Sequence, residues 1–117
     1  MQQFQQFVVL LFPLIFFSLI ISITEVSAVG GWTPIKDIKD PHVVEIVKFA
    51  VDEYNKIGNT GLKLVTVVSG ETQVISGTNY RLILKATNGT ATKTYQTIVW
   101  EDAFKNKKLT SFEPFLG

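Results

Sequence analysis

The sequence offers few side chains able to do covalent chemistry. His42 is its lone histidine, and it has no cysteine. Thiol catalysis and thiolate metal sites are therefore excluded. No second histidine is present to complete a triad or a metal site. His42 falls in the first turn of a helical pattern, where a solvated surface role is expected. Asp52-Glu53 and Glu101-Asp102 are adjacent carboxylates. Neighbours on a helix point about 100° apart, and on a strand to opposite faces, so neither pair makes an acid/base couple. Both pairs are expected to be solvated. Gly30-Gly31 precedes no strand–helix nucleotide pattern, so no phosphate loop is present. Asn88-Gly89-Thr90 is a glycosylation sequon, which gains meaning if the chain is secreted. The inventory gives no metal site, implies no cofactor, and argues against an enzyme.

The elements that would position these residues are legible. Val29-Gly30-Gly31 is a flexible start. Trp32 to Lys39 is a short extended stretch broken by Pro34. A helix is expected from Asp40-Pro41, with Asp40 capping the free amides and Pro41 in the first turn. It should end near Ile57-Gly58, with Gly58 as its C-terminal cap. Val43, Val44, Ile46, Val47, Ala50, Val51, Tyr54 and Ile57 fall in one arc of roughly 160°. Phe49 lies off that arc, which suggests a surface that wraps around the helix. Strand patterns follow at Leu62–Thr72, Thr78–Thr87, Ala91–Trp100 and, more weakly, Leu109–Phe115. In the second of these, Tyr80, Leu82, Leu84 and Ala86 share a face, and Ile83 breaks the alternation. Asn88-Gly89 is a strong hairpin signal. One helix followed by consecutive strands predicts an α+β domain: an antiparallel sheet of four to five strands wrapped around one N-terminal α-helix.

The 117 residues, 46% of them hydrophobic, divide unevenly. Phe7 to Ile23 is almost wholly apolar, and Val26-Ser27-Ala28 supplies small residues of the kind a signal peptidase reads. Residues 1–28 are read as a secretory signal peptide and 29–117 as the mature domain, so a secreted protein with no membrane association after cleavage is expected. The mature part keeps all 11 basic residues and loses only Glu25 of the 10 acidic ones, for a formal charge of +2. That balance is too mild to suggest nucleic acid as a partner. A small secreted domain without disulfides must be held by its core.

Three segments, in order, resemble the plant cystatins, the phytocystatin branch of the cystatin family of cysteine protease inhibitors. They are Gly30-Gly31, the helix run Ile46 to Asn55, and Gln73-Val74-Ile75-Ser76-Gly77. The helix run is similar to the family's Leu-Ala-Arg-Phe-Ala-Val followed by Glu and Asn. The pentapeptide is similar to Gln-x-Val-x-Gly, with Ile75 for the central Val. One departure stands out. After Val99-Trp100-Glu101, the family's Pro-Trp falls on Ala103-Phe104. Phe104 keeps an aromatic group, whereas Ala103 lacks the fixed φ of proline, which predicts a more mobile tip. Trp100 is read as a packed strand residue.

The resemblance implies a reversible, competitive inhibitor of papain-like cysteine proteases. It implies a tripartite wedge: Val29, Gly30 and Gly31, then Gln73, Val74, Ile75, Ser76 and Gly77, then Ala103 and Phe104. Gly30 and Gly77 would let backbone approach the protease closely. The expected state is a monomer, with a domain-swapped dimer conceivable if the Gln73–Gly77 loop is strained. The competing expectation is a non-inhibitory storage or binding protein of the same fold, which the altered Ala103-Phe104 loop favours.

Overall fold

A computed structural model describes residues 31–117 of the chain. The expected signal segment, together with Val29 and Gly30, lies outside the described residues. Residues 32–117 form one compact unit.

Helix α1 spans Pro41–Gly58. Its start follows the local rules. Asp40 is the N-cap, and its carboxylate accepts a hydrogen bond from the His42 amide at 2.8 Å. Pro41 needs no amide partner there. Its end differs from expectation. Gly58 remains helical, and Asn59 takes the left-handed cap at φ 53 and ψ 49. Asparagine tolerates that region because its short side chain bonds locally. Asn55 then clamps the exit from the helix. Its amide Nδ2 donates to the Leu62 carbonyl at 2.8 Å, and its Oδ1 accepts from the Leu62 amide at 2.9 Å.

Five strands follow one another through the sheet: β1 (Thr33–Pro34), β2 (Lys63–Val74), β3 (Thr78–Thr87), β4 (Thr92–Glu101) and β5 (Lys107–Pro114). Each pairs antiparallel with the next, so the expected α+β meander is the observed one. Val43, Ile46, Val47, Ala50 and Val51 of the helix meet Leu82, Leu84, Ala86, Tyr95 and Val99 of the sheet in a buried core. Phe49, half-buried, packs at its edge. Two members of the expected apolar arc fall outside the core. Ile57 is 76% exposed, and Val44 is only half-buried. Ile57 sits in the last turn, beyond the last buried helical residue, Val51.

Strand β2 breaks simple alternation at two places. Its register shifts between Leu64 and Thr66 and again between Val67 and Ser69. The extra residues, Val65 and Val68, are exposed, while Leu64 and Val67 both pack against the core. Each bulge inserts one residue and deepens the local twist, which lets the sheet curl around the helix. Gly70 permits the tight passage that follows. A Cβ there would lie 2.4 Å from the Leu82 side chain and 2.9 Å from that of Ile35.

Candidate functional site

Val74 pairs with Thr78, Thr78 with Glu101, and Glu101 with Lys107. This row closes one end of the sheet, and two hairpin loops leave from it. Gln73 and Val74 belong to β2, so the first loop proper is Ile75-Ser76-Gly77. The second is Asp102 to Asn106. The structure thus brings together the pentapeptide and the Ala103-Phe104 pair. Of the N-terminal group, only Gly31 is described.

The first loop is held by backbone shape. Ser76 and Gly77 both have positive φ, 48° and 123°. The Ile75 amide donates to the Gly77 carbonyl at 3.1 Å. Gly77 presses on the end of β4. A Cβ there would stand 2.6 Å from the Glu101 carbonyl oxygen and 3.0 Å from Trp100 Nε1. The indole in turn donates from Nε1 to the Ile75 carbonyl at 3.4 Å. Glycine at 77 is therefore required inside the molecule, both for its φ and for its contact with Trp100. Behind the tip, Asn79 Nδ2 donates to Gln73 Oε1 at 3.3 Å. Trp100 is a packed residue as expected, and what it packs against is this loop.

The second loop is organised by one carboxylate. Asp102 Oδ1 accepts from the amides of Phe104 and Asn106 at 2.8 and 2.9 Å, and Oδ2 accepts from Asn106 Nδ2 at 3.0 Å. The Asn106 side chain, followed by the Asn106 and Phe104 amides, holds the Asp102 carboxyl below its ordinary range. The Lys105 amide closes a turn on the Asp102 carbonyl at 3.1 Å. Ala103 occupies the second position of that turn, where proline is favoured. Asp102 braces the loop by a route that does not depend on residue 103.

Each loop displays apolar surface. Val74 is 69% exposed, Ile75 50% and Phe104 86%. Burying such side chains against a partner is favourable by about 25 cal/mol per Å² of apolar area.

Beneath the second loop lies an ionic cluster that corrects two expectations. His42 does not merely face solvent: its Nε2 lies 2.7 Å from Glu101 Oε1, and its Nδ1 lies 3.3 Å from Glu45 Oε1. Glu101 is not solvated: it is 4% exposed. It continues the inward row Tyr95, Thr97, Val99, whose period of two was the sequence signal for its burial. Asp102, one residue on, lies just beyond the end of β4, so the two adjacent carboxylates serve separate structures. Lys107 Nζ reaches Glu101 Oε2 at 3.5 Å and Glu45 Oε2 at 3.4 Å. Hydrogen bonding and charge from Lys107 hold the Glu45 carboxyl below its ordinary range. Burial raises the Tyr80 hydroxyl above its own, and the Glu101 charge adds to the effect. Glu101 and Lys107 flank the second loop, so the cluster ties both of its stems to the start of α1. The residues that sequence reasoning missed here are Asp102, Lys107 and Glu101; only Glu101 carried a signal in the pattern.

At the opposite end of the sheet, Asn88 and Gly89 form the expected hairpin tip between β3 and β4. Gly89 has φ 102°.

A sequence model of the family described as "Aspartic acid proteinase inhibitor" matches residues 35–115. "Cysteine proteinase inhibitor 5" of Arabidopsis thaliana is 58% identical over 90 residues, covering 75% of this chain and 74% of that protein. The salivary cystatin of the soft tick Ornithodoros moubata shares the fold at a TM-score of 0.65 and 22% identity, over 74% of this chain and 97% of the other. The solution structure of the squash aspartic acid proteinase inhibitor superposes at a TM-score of 0.57 with 30% identity, over 81% of this chain and 96% of the other.

Proposed function

The chain belongs to the plant cystatins, the family of the cysteine proteinase inhibitors, and from that premise we propose that it is a reversible, competitive inhibitor of papain-like cysteine proteases. The observation that carries this reading is the pair of braced loops at one end of the sheet, which expose Val74, Ile75 and Phe104. Two apolar tips on a fixed frame can enter a narrow cleft with little further ordering, so less entropy is lost than with a free peptide. They would exclude water from the catalytic cysteine and offer no extended peptide for cleavage. Gln73 supports the first tip from the strand behind it. Val29, Gly30 and Gly31 complete the proposed contact along the unprimed side of the cleft.

The test is a titration of papain by residues 29–117 with a fluorogenic peptide substrate. Because Gly77 is also needed internally, the informative control is Ile75→Asp, which alters an exposed tip. Tight inhibition that Ile75→Asp abolishes, while its melting temperature is unchanged, is the expected result. A folded chain that leaves papain active at micromolar concentration would overturn the proposal in favour of a storage or binding role.

A second reading is inhibition of aspartic proteinases, favoured by the family model that matches residues 35–115. Pepsin assayed in parallel separates the two. The chain's expected effect on pepsin is none.

A further inference from the structure

Asn88-Gly89-Thr90 is the only sequon in the chain, and neither loop of the protease-facing end uses it. Asn88, Gly89, Thr90 and Ala91 are all exposed at the β3–β4 tip. A Cβ built on Gly89 would meet nothing within 4 Å, so the space around the tip is open.

The side chain of Asn88 is held in one orientation. Its Oδ1 accepts from the Thr90 amide at 3.1 Å, the Thr90 hydroxyl at 3.0 Å and the Ala91 amide at 3.1 Å. No hydrogen bond from Nδ2 occurs among the described residues. The carbonyl oxygen is thus engaged and the amide nitrogen is presented. Every one of these partners lies within three residues of Asn88, so the arrangement can form in a nascent chain before the sheet does.

We propose that Asn88 is an N-linked glycosylation site and that its glycan projects from the pole of the domain opposite the protease-facing loops. The donor class is a lipid-pyrophosphate-linked oligosaccharide, acted on by the transferring enzyme of the secretory pathway. Nδ2 forms a bond to the anomeric carbon of the first sugar, and the bond from that carbon to the pyrophosphate oxygen breaks. The amide proton passes to a base of the transferring enzyme, and the lipid pyrophosphate leaves. Three donors on Oδ1 stabilise the charge that builds there as Nδ2 gives up its proton. A recess lined by Tyr54, Thr60, Gly61, Leu62, Asn88 and Tyr95, of mixed polar and apolar character, opens beside the tip.

The placement decides the consequence. Strands β3 and β4 have 10 residues each, so about 30 Å of sheet separates Asn88 from the loops at the other end. A glycan there leaves the proposed protease contact uncovered.

The proposal rests on delivery of the chain to the secretory pathway by residues 1–28, and the experiment separates the two. The full chain is translated in vitro with rough microsomes and treated with protease and then with endoglycosidase H. The expected product is protease-protected and carries one glycan, seen as a mobility shift that the glycosidase removes. Thr90→Ala and Asn88→Gln should abolish the shift, and Thr90→Ser should retain it, which guards against loss by misfolding. The glycosylated and Asn88→Gln proteins should inhibit papain equally. A protected chain without the shift would overturn the glycosylation proposal alone. An unprotected, unshifted chain would overturn it together with the secretory reading.

Discussion

The two loops at the Val74–Lys107 end of the sheet reach the same result by different physics. Ile75-Ser76-Gly77 is shaped by backbone dihedrals, with Gly77 at φ 123° against Trp100 and the Glu101 carbonyl. Asp102 to Asn106 is shaped by hydrogen bonds to one side chain, Asp102. The first device tolerates no Cβ at its critical position. The second tolerates change at the tip, because the anchor lies outside it. That is why Ala103 can stand where proline is expected and leave a closed turn. The loop with a recognisable motif is thus the brittle one, and the loop that departs from its family pattern is the adaptable one.

The comparison breaks most sharply at Gly77. Gly77→Ala forces a Cβ to within 2.6 Å of the Glu101 carbonyl at a φ that L-residues avoid. The expected loss of papain inhibition is about a hundredfold, equivalent to ~2.7 kcal/mol. Titration with the fluorogenic substrate measures it, and amide chemical shifts should move at Trp100 as well as in the loop. Inhibition within threefold of the wild type would show that the first loop is not backbone-limited.

Phe104→Ala removes an exposed ring and nothing that the fold uses. Affinity for papain should fall about tenfold, with no change in melting temperature. An unchanged affinity would assign the apolar contact to the first loop alone.

Asp102→Ala tests the bracing directly and should weaken inhibition about fivefold, through loss of order at Phe104. The same group predicts a pH dependence. The folded loop favours the charged form, so the stability it contributes is complete above the unfolded value, about 4. It is lost as pH falls through the lower folded value. Amide resonances of Phe104 and Asn106 should therefore shift together only in acid, and Asp102→Asn should remove that transition.

The smallest effect is a gain. Ala103→Pro places proline at the second position of the turn and should tighten binding about twofold by limiting the unfolded loop. Looser binding would mean that the turn needs a φ that proline cannot supply.

Much of the frame was legible in advance. Asp40-Pro41 announced the helix start, and Tyr80, Leu82, Leu84 and Ala86 announced the core face of β3, because caps and alternation are local rules. The two bulges of β2 were not legible. Val65 and Val68 are as apolar as the core residues beside them, and only pairing with β3 shows that they face out. The burial of Glu101 was half legible. The row Tyr95, Thr97, Val99 points to it, but a carboxylate is accepted inside only because His42 and Lys107 come from other elements to meet it. Those two residues lie 59 positions before and six positions after it in the chain.

The sequence alone determined the elements, their order, the family, and the residues at both hairpin tips. Spacing and residue type act through bonds and dihedrals a few residues long, and such effects need no fold to be read. Only the tertiary structure decided what holds those tips in place. Gly77 against Trp100, and Glu101 between His42 of the helix and Lys107 of the next strand, are contacts between different elements of the fold. Their geometry exists only once the sheet has closed around the helix.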